Sequence, residues 1–339
     1  MNSLQRFQHA LRGEPVDHVP VFPLLMFFAS NRAGISFRQF ATDGHALAEA
    51  QLLMRERYPL DALTVCSDAF RVPADLGGEM AYPEDKTPFL VQPIIRTRSD
   101  LARLGRPDPT APGSRMADRV KAIAELYRAV GQECPVLGWV DMPFAESCSL
   151  VGVSEFMLLL HDDPVLAHEI LDTVTQIEID FALAQLEAGA IMIGAGDAAT
   201  SLISPPAYRE FALPYEQRVI EAIHAAGGLV KLHICGNTTR SLEDMVHSGA
   251  DLYNVDHMVP FERACQVYGA ADACFKGNLD PVGDMMEATP EQCQQAALER
   301  IRRAEGLRFM LSAGCEIPAA VSDEVMLAFC RAPEVYAAG

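Results

Sequence analysis

The fold is decided by two short stretches: residues 227–237 read GGLVKLHICGN and residues 305–316 read EGLRFMLSAGCE. In each, a glycine follows a helical pattern, a short run that is apolar on both faces comes next, and side chains that bind metals stand at its end. Glycine commonly ends a helix. A short run that is apolar on both faces is typical of a buried parallel strand. Both stretches therefore predict a helix-to-strand junction of an α/β fold.

The same alternation runs along the whole chain and predicts eight buried strands. The predicted strands are 19–25, 61–67, 136–142, 190–195, 229–235, 251–256, 273–279 and 308–314. Helical patterns lie between them, including 118–130, 163–188, 205–226, 240–248 and 290–304. Eight strand–helix units in one chain favour a barrel over an open sheet. We therefore predict a single (β/α)8 TIM barrel over 1–339, with an N-terminal helical extension at 1–18.

Composition excludes several classes of partner. The formal net charge of −19 argues against nucleic acid or an anionic membrane surface. We see no apolar run of 18 residues that would span a membrane, and the first residues lack the apolar core of a signal peptide. Nine scattered cysteines are an odd number, which fits free or metal-bound thiols in a reducing cytoplasm better than disulfides.

The candidate metal ligands are His233, Cys235 and Cys315. Side chains alternate along a strand, so His233 and Cys235 point the same way, roughly 7 Å apart along the strand. Cys315 adds a second thiolate if the fold brings the two strand ends together. Three such ligands with a fourth position left open are typical of a catalytic zinc site. The alternative for the His-x-Cys pair alone is two ordinary buried residues.

Other polar residues follow the predicted strands at the same end. In a TIM barrel, reactive groups lie at the carboxyl ends of the strands. Almost every predicted strand ends in a carboxylate, an imidazole, an amide or a thiol at this rim, which indicates a polar active site there. The residues are Asp68, Asp141, Asp197, His233, Cys235, Asp256, Asn278, Asp280, Cys315 and Glu316.

Several segments carry a family resemblance that runs nearly from end to end. They are ALRGEPVDHVPV at 10–21, SDAFRVPADLG at 67–77, SP at 204–205 with FALPY at 211–215, GNLDP at 277–281 and GCEIP at 314–318. With these segments the chain resembles the uroporphyrinogen decarboxylase superfamily. The opening segment, the His-x-Cys pair and Cys315 resemble its branch of zinc-dependent corrinoid methyltransferases.

The resemblance implies an enzyme that moves a methyl group between a corrinoid and a small thiol or methylated compound. Zinc would be its cofactor, and a separate corrinoid-binding protein its partner, since the chain has no obvious cobalamin-binding domain. Both directions of transfer stay open. Asp197 is the first candidate and Asp141 the second for a carboxylate at the open zinc position, with a loop cap or a hydrogen-bond partner of His233 as the alternative. Asp68 lies in the segment that resembles the one carrying the catalytic aspartate of the decarboxylases, which makes it a candidate catalytic residue. The alternatives are a group that supports the site or handles a proton, and a strand-end cap.

One departure separates the chain from true uroporphyrinogen decarboxylases. These enzymes place arginines after the first strand to bind the propionates of the substrate. Here residues 21–32 read VFPLLMFFASNR, with no charge before Arg32. We expect instead an apolar mouth near Phe22, Met26 and Phe27. A lyase acting on a tetrapyrrole or another carboxylic acid remains the alternative function, and a non-catalytic zinc-binding scaffold is a third.

Overall fold

Parallel strands form the framework of the protein, and helices cover their outer face. The computed structural model describes all of residues 1–339. The strands are β1 Leu63–Thr64, β2 Met80–Ala81, β3 Phe89–Leu90, β4 Val136–Asp141, β5 Met192–Gly196, β6 Leu229–His233, β7 Leu252–Asn254, β8 Cys274–Leu279 and β9 Phe309–Ala313. Seven of them form one curled parallel sheet in the order β1-β4-β5-β6-β7-β8-β9, and β2 pairs with β3 in a small antiparallel hairpin.

Sixteen α-helices connect and surround these strands. They are α1 Ser3–Arg12, α2 Phe27–Ala33, α3 Phe37–Thr42, α4 Gly44–Arg57, α5 Arg71–Asp75, α6 Arg98–Arg103, α7 Arg115–Val130, α8 Pro143–Val151, α9 Val153–Asp162, α10 Pro164–Glu187, α11 Pro205–Phe211, α12 Leu213–Ala225, α13 Leu242–Val246, α14 Phe261–Ala270, α15 Pro290–Arg303 and α16 Asp323–Ala338. A 3₁₀ turn covers Ala198–Leu202, and a π-helical turn covers Pro281–Met286.

The first predicted strand, 19–25, is the one that differs from the prediction. It forms only two isolated parallel bridges, from Val21 to Leu311 and from Leu24 to Glu316. On its other side, Val21 accepts a hydrogen bond from the Asp61 amide at 2.8 Å. The segment thus contacts the chain at both edges of the seven-stranded sheet, but Pro20 and Pro23 have no N–H to donate, so it cannot form a regular ladder.

Local sequence signals explain where several helices begin and end. At the start of α10, the Asp163 side chain accepts from the Leu166 amide and Pro164 fills the first turn. The predicted helix over 205–226 is instead two helices, α11 and α12, with a break at Ala212. Pro214 follows the break, and a proline cannot donate the backbone hydrogen bond that a continuous helix needs.

The two ends of the sheet have different roles. At the amino ends of the strands, Phe7 of α1 packs into a buried apolar cluster with Phe22, Leu137 and Met310. The N-terminal helix therefore lies against the amino end of the sheet interior. A much larger cluster of 77 buried residues includes side chains of the outer strand faces and of the helices. The carboxyl ends of the strands are where the polar residues meet.

No single helix of the structure has both the length and the apolar composition needed to cross a bilayer. Only α8 and α9 taken together reach that length and composition, and the two are bent by 107° relative to each other.

Candidate metal centre

Three predicted ligands meet at the carboxyl ends of β6 and β9. His233 is the last residue of β6, Cys235 follows two positions later, and Cys315 lies two positions beyond the end of β9. The Cys235 sulfur lies 3.1 Å from His233 Nε2 and 3.7 Å from the Cys315 sulfur. The Cys315 sulfur lies 3.8 Å from the same imidazole nitrogen. Two strand ends that are 80 residues apart in sequence therefore bring one imidazole and two thiols together.

The spacing of these donor atoms fits a single zinc ion. Bond lengths of about 2.3 Å to sulfur and about 2.0–2.1 Å to nitrogen, with tetrahedral angles, put two ligands about 3.5–3.8 Å apart. The three observed separations of 3.1, 3.7 and 3.8 Å lie close to that range. His233 is buried and both cysteines are half-buried. The donor set is thus compact and partly shielded from water, and it is made of zinc's preferred ligand types.

The surroundings of Cys315 favour the loss of its thiol proton. Hydrogen bonding from Cys235 lowers the pKa of Cys315, and His233 acts in the same direction. The contact with Cys315, together with burial, raises the pKa of Cys235. The protein alone therefore favours one thiolate in this pair, and a cation is needed to make the second thiolate favourable.

Asp68, a predicted site residue, accepts hydrogen bonds from neighbouring protein groups at both carboxylate oxygens. Arg115 donates to both of its oxygens, at 3.0 and 2.8 Å, and the Ser67 hydroxyl donates at 2.7 Å. The Phe70 amide adds a fourth hydrogen bond at 3.0 Å. Arg115 and neighbouring donors hold the pKa of Asp68 far below its usual range, against the effect of burial. The structure thus places Asp68 in an ion pair beside the mouth.

Asp141, the second candidate for the open metal position, pairs with a different arginine. It ends β4, and its carboxylate accepts from the guanidinium of Arg71, which is 2% exposed. Burial raises the pKa of Asp141 to about 6, and the charge of Arg71 opposes that rise. Asp141 does not lie within the group formed by the imidazole and the two thiols.

Asp197, the first candidate, points away from the proposed ligands. It directly follows β5, in which Ile193 and Ala195 pack against the helices, and Asp197 continues that outer face. Its Oδ1 accepts from the Ala145 amide at 2.8 Å, and burial together with the nearby carboxyl of Glu216 raises the pKa of Asp197. The expectation that Asp197 fills the open zinc position is therefore not supported by this geometry.

The expected apolar mouth is only partly present. Phe22 is 1% exposed and packs edge-to-face against Phe7, so it belongs to the closed amino end. Met26 does lie near the site, with its sulfur 3.4 Å from Cys66, and Phe27 stacks on Phe37. The prediction that Phe22 lines the mouth was wrong. Pro23 interrupts the strand, and the chain reaches the rim at the carboxyl ends of the strands only after Pro23.

Sequence reasoning passed over two buried lysines inside the sheet. Lys276 donates to the Phe22 carbonyl and to the Ser312 hydroxyl. Lys231 lies over the ring of Trp139, 4.5 Å from its centroid, two residues before His233 on the same face of β6. The sequence could have revealed both residues, because each is a lysine within an otherwise apolar strand pattern. A lysine is rarely buried without a role or a partner.

Comparison with known proteins identifies the family. The model of the family described as "Uroporphyrinogen decarboxylase (URO-D)" matches residues 2–336. The chain belongs to this family. The superfamily resemblance drawn from the sequence is thereby confirmed.

Relatives of two kinds resemble this URO-D family member. The uroporphyrinogen decarboxylase of Ralstonia pickettii is 30% identical over 295 residues, which cover 81% of this chain and 79% of the relative. The methylcobamide:CoM methyltransferase MtbA of Methanosarcina mazei is 28% identical over 323 residues, 92% of each chain. A solved methyltransferase structure from the same organism superposes with a TM-score of 0.89 at 24% identity and covers 99% of both chains, which supports the barrel-like fold.

Proposed function

We propose that this protein is a zinc-dependent methyltransferase that moves a methyl group between a corrinoid and a small thiol or methylated substrate. The observation that carries the proposal is the cluster of His233, Cys235 and Cys315, whose donor atoms all lie within 4.8 Å of one another. No carboxylate joins this cluster, so a fourth coordination position would be left for a substrate. The chain would act as one catalytic unit over 1–339.

Zinc at this position would supply Lewis acidity, which favours the deprotonated, nucleophilic form of a thiol in the open position or polarises a methyl donor there. The chain's own residues would hold and orient the reactants. His233 and the two cysteines fix the position of the ion at the carboxyl ends of the strands. Two thiolates would balance its charge, so a further thiolate ligand would stay electron-rich.

A separate corrinoid-binding protein is the proposed partner. Large apolar side chains are exposed on the loops that follow β5, β7 and β8, on the same rim as the ligands. They are Leu202, Met258, Val282 and Met286, which are 38–68% exposed. Exposed apolar groups around a reactive site suit a transient protein contact. The two thiols of the site must stay reduced, which supports a cytoplasmic location.

Decarboxylation of a tetrapyrrole or another acid is the alternative, favoured by the decarboxylase relatives. A polycarboxylate substrate would need positively charged side chains at the mouth that are not already paired with acidic residues. Two buried arginines beside the mouth already have partners: Arg71 pairs with Asp141 and Arg115 with Asp68. Arg32 bonds the carbonyls of 319 and 321 and pairs with Asp323. This pairing leaves little positive charge for a polycarboxylate and favours the methyltransferase.

The decisive experiment incubates zinc-loaded protein with methylcobalamin and a panel of small thiols while the visible spectrum of the corrinoid is followed. We expect loss of the methyl–cobalt absorption in the wild type and in Cys265→Ser, a control at another half-buried cysteine. The Cys315→Ser variant should be inactive. Enzymatic decarboxylation of uroporphyrinogen that persists after zinc removal would overturn the proposal in favour of the alternative.

A further inference from the structure

The two cysteines of the metal centre lie on separate loops, and a third loop lies between them. Cys235 follows β6, Cys315 follows β9, and the turn over 256–259 follows β7, the strand next to β6. A bond between the Asp256 carbonyl and the Val259 amide, 3.1 Å long, closes this turn. The turn contacts the residue after one cysteine and the residue before the other.

Asp256 makes the contact with the first cysteine loop. Its Oδ2 accepts a hydrogen bond from the Gly236 amide, directly after Cys235, at 2.9 Å. Its Oδ1 accepts from the Met258 amide at 2.9 Å, within its own turn. The side chain is about 5% exposed. Because both oxygens are used and water is largely excluded, the carboxylate links the Cys235 loop to the turn with little freedom.

The backbone of the turn makes the contact with the second cysteine loop. Gly314, directly before Cys315, lies so close that a Cβ there would be 2.2 Å from the His257 amide nitrogen. Only glycine permits this approach. The Asn278 side chain bonds the carbonyls of Asp256 and Val259 and so fixes the turn on β8. A shift of the turn would therefore move both cysteine loops.

We propose that Asp256 is a positioning residue that sets the separation of the two sulfur ligands. The inference rests on the proposed metal centre, and it assigns the geometry of that centre to one carboxylate that does not bind the ion. Loss of the bond to Gly236 would release the Cys235 loop from the turn, while Gly314 would keep the Cys315 loop against it. The two sulfurs would no longer be held at their observed 3.7 Å separation.

The chain offers a matched control at the other end of the same strand. Asp251 precedes β7, and it too accepts a backbone N–H from β6, that of Val230 at 2.8 Å. It is far from the metal ligands because it lies at the amino end of the sheet. The variants Asp256→Ala and Asp251→Ala thus each remove one carboxylate that accepts an N–H from the neighbouring strand segment. They differ in the end of the sheet at which the carboxylate lies, and Asp251 is also more exposed and pairs with His224.

The experiment measures zinc affinity by competition with a chromophoric chelator, the absorption spectrum of the cobalt(II)-loaded protein, and the melting temperature of the metal-free protein. We expect Asp256→Ala, which removes both acceptor oxygens, to weaken zinc binding by about 10- to 100-fold, the range typical for partners of metal ligands. Its sulfur-to-cobalt absorption should change. Asp251→Ala should keep wild-type affinity and spectrum, although its melting temperature also falls.

Wild-type affinity and spectrum in Asp256→Ala would overturn the inference while leaving the methyltransferase proposal in place. Equal losses of affinity in both variants would also overturn it, because the effect would then be one of general stability. Methyl transfer that fails in a wild type with normal metal binding would overturn the proposed function alone. A wild type that binds neither metal would overturn both.

Discussion

The two sides of the rim hold their polar groups in opposite ways. On the arginine side, formed by Asp68, Arg71, Arg115 and Asp141, each charge already has a partner of opposite sign within the protein. On the sulfur side, His233, Cys235 and Cys315 mainly face one another. Carboxylates and arginines that neutralise each other hold loops in place. Imidazole and thiol groups that make no ion pair are suited to bind a metal cation. The difference supports the proposal that the chemistry belongs to the sulfur side.

Removing a sulfur ligand should have the largest effect. We expect Cys235→Ala to lose most of its zinc and to reduce methyl transfer at least about 100-fold, since even partners of metal ligands contribute 10- to 100-fold. The fold should persist because the large core does not include the site. Zinc content by elemental analysis and far-ultraviolet circular dichroism check this, with Cys265→Ala as control. Full zinc and full activity in Cys235→Ala would show that the ligand assignment is wrong.

Breaking the arginine side should affect stability and spare the metal. The Arg71→Met variant leaves the buried Asp141 carboxylate without its cation, and such a loss typically costs about 3–5 kcal/mol of unfolding free energy. Urea unfolding measures this cost. The exposed pair of Arg106 with Asp180 is the control, and Arg106→Ala should cost no more than about 1 kcal/mol. If Arg71→Met strips zinc from folded protein, the two sides are not independent.

A buried pair of acids behind the rim predicts a pH dependence of stability. Burial raises the pKa of Glu146 and of Glu178, the charge of Asp141 adds to both rises, and the charge of Arg71 opposes them. The charge of Glu178 raises the pKa of Glu146 further, whereas a hydrogen bond from Glu146 acts to lower the pKa of Glu178. The folded chain thus retains protons that the unfolded chain has released, so stability falls as pH rises above the unfolded pKa of about 4.3.

The Glu178→Gln variant should remove part of this dependence. Each extra proton held by the folded state contributes a slope of about 1.4 kcal/mol per pH unit. Urea unfolding between pH 5 and 8 should therefore show the wild type losing stability relative to the variant as pH rises. Glu187→Gln, at the exposed end of the same helix, is the control and should parallel the wild type. Parallel curves for all three proteins would contradict the raised pKa values.

The smallest effect on metal binding is expected for Asp197. Its carboxyl lies among the helices with Glu216 and the Ala145 amide, so Asp197→Asn should keep its zinc content within error. The cobalt(II) spectrum should match that of the wild type. A clear loss of zinc in this variant would mean that Asp197 does reach the open coordination position.

The order of the strands and the meeting of His233, Cys235 and Cys315 at one end of the sheet could be predicted from sequence, for physical reasons that are local. Two-sided apolar runs mark buried parallel strands, and seven of the eight predicted strands are present in the predicted order. The eighth, 19–25, forms only bridges, because Pro20 and Pro23 remove backbone donors. Those prolines were visible in the sequence, and their effect on the ladder could have been foreseen.

The direction of individual side chains was harder to foresee. Asp141 ends β4 and Asp197 directly follows β5, but one faces the interior and the other the helices, since each position along a strand reverses the face. The correct face depends on register with the neighbouring strands, which one sequence does not reveal. The pairing of Arg71 and Arg115 with Asp141 and Asp68 depends on contacts across 47 to 70 residues and was likewise hidden.

The most direct test of the metal centre is X-ray absorption at the zinc edge on protein purified without added zinc. We expect about one zinc per chain, bound by two sulfurs at about 2.3 Å and by one nitrogen at about 2.0–2.1 Å, with a light atom completing the shell. In Cys315→Ser the sulfur count should fall to one. Purified protein that holds no zinc after zinc is supplied, or zinc bound by oxygen and nitrogen alone, would contradict the assignment of His233, Cys235 and Cys315.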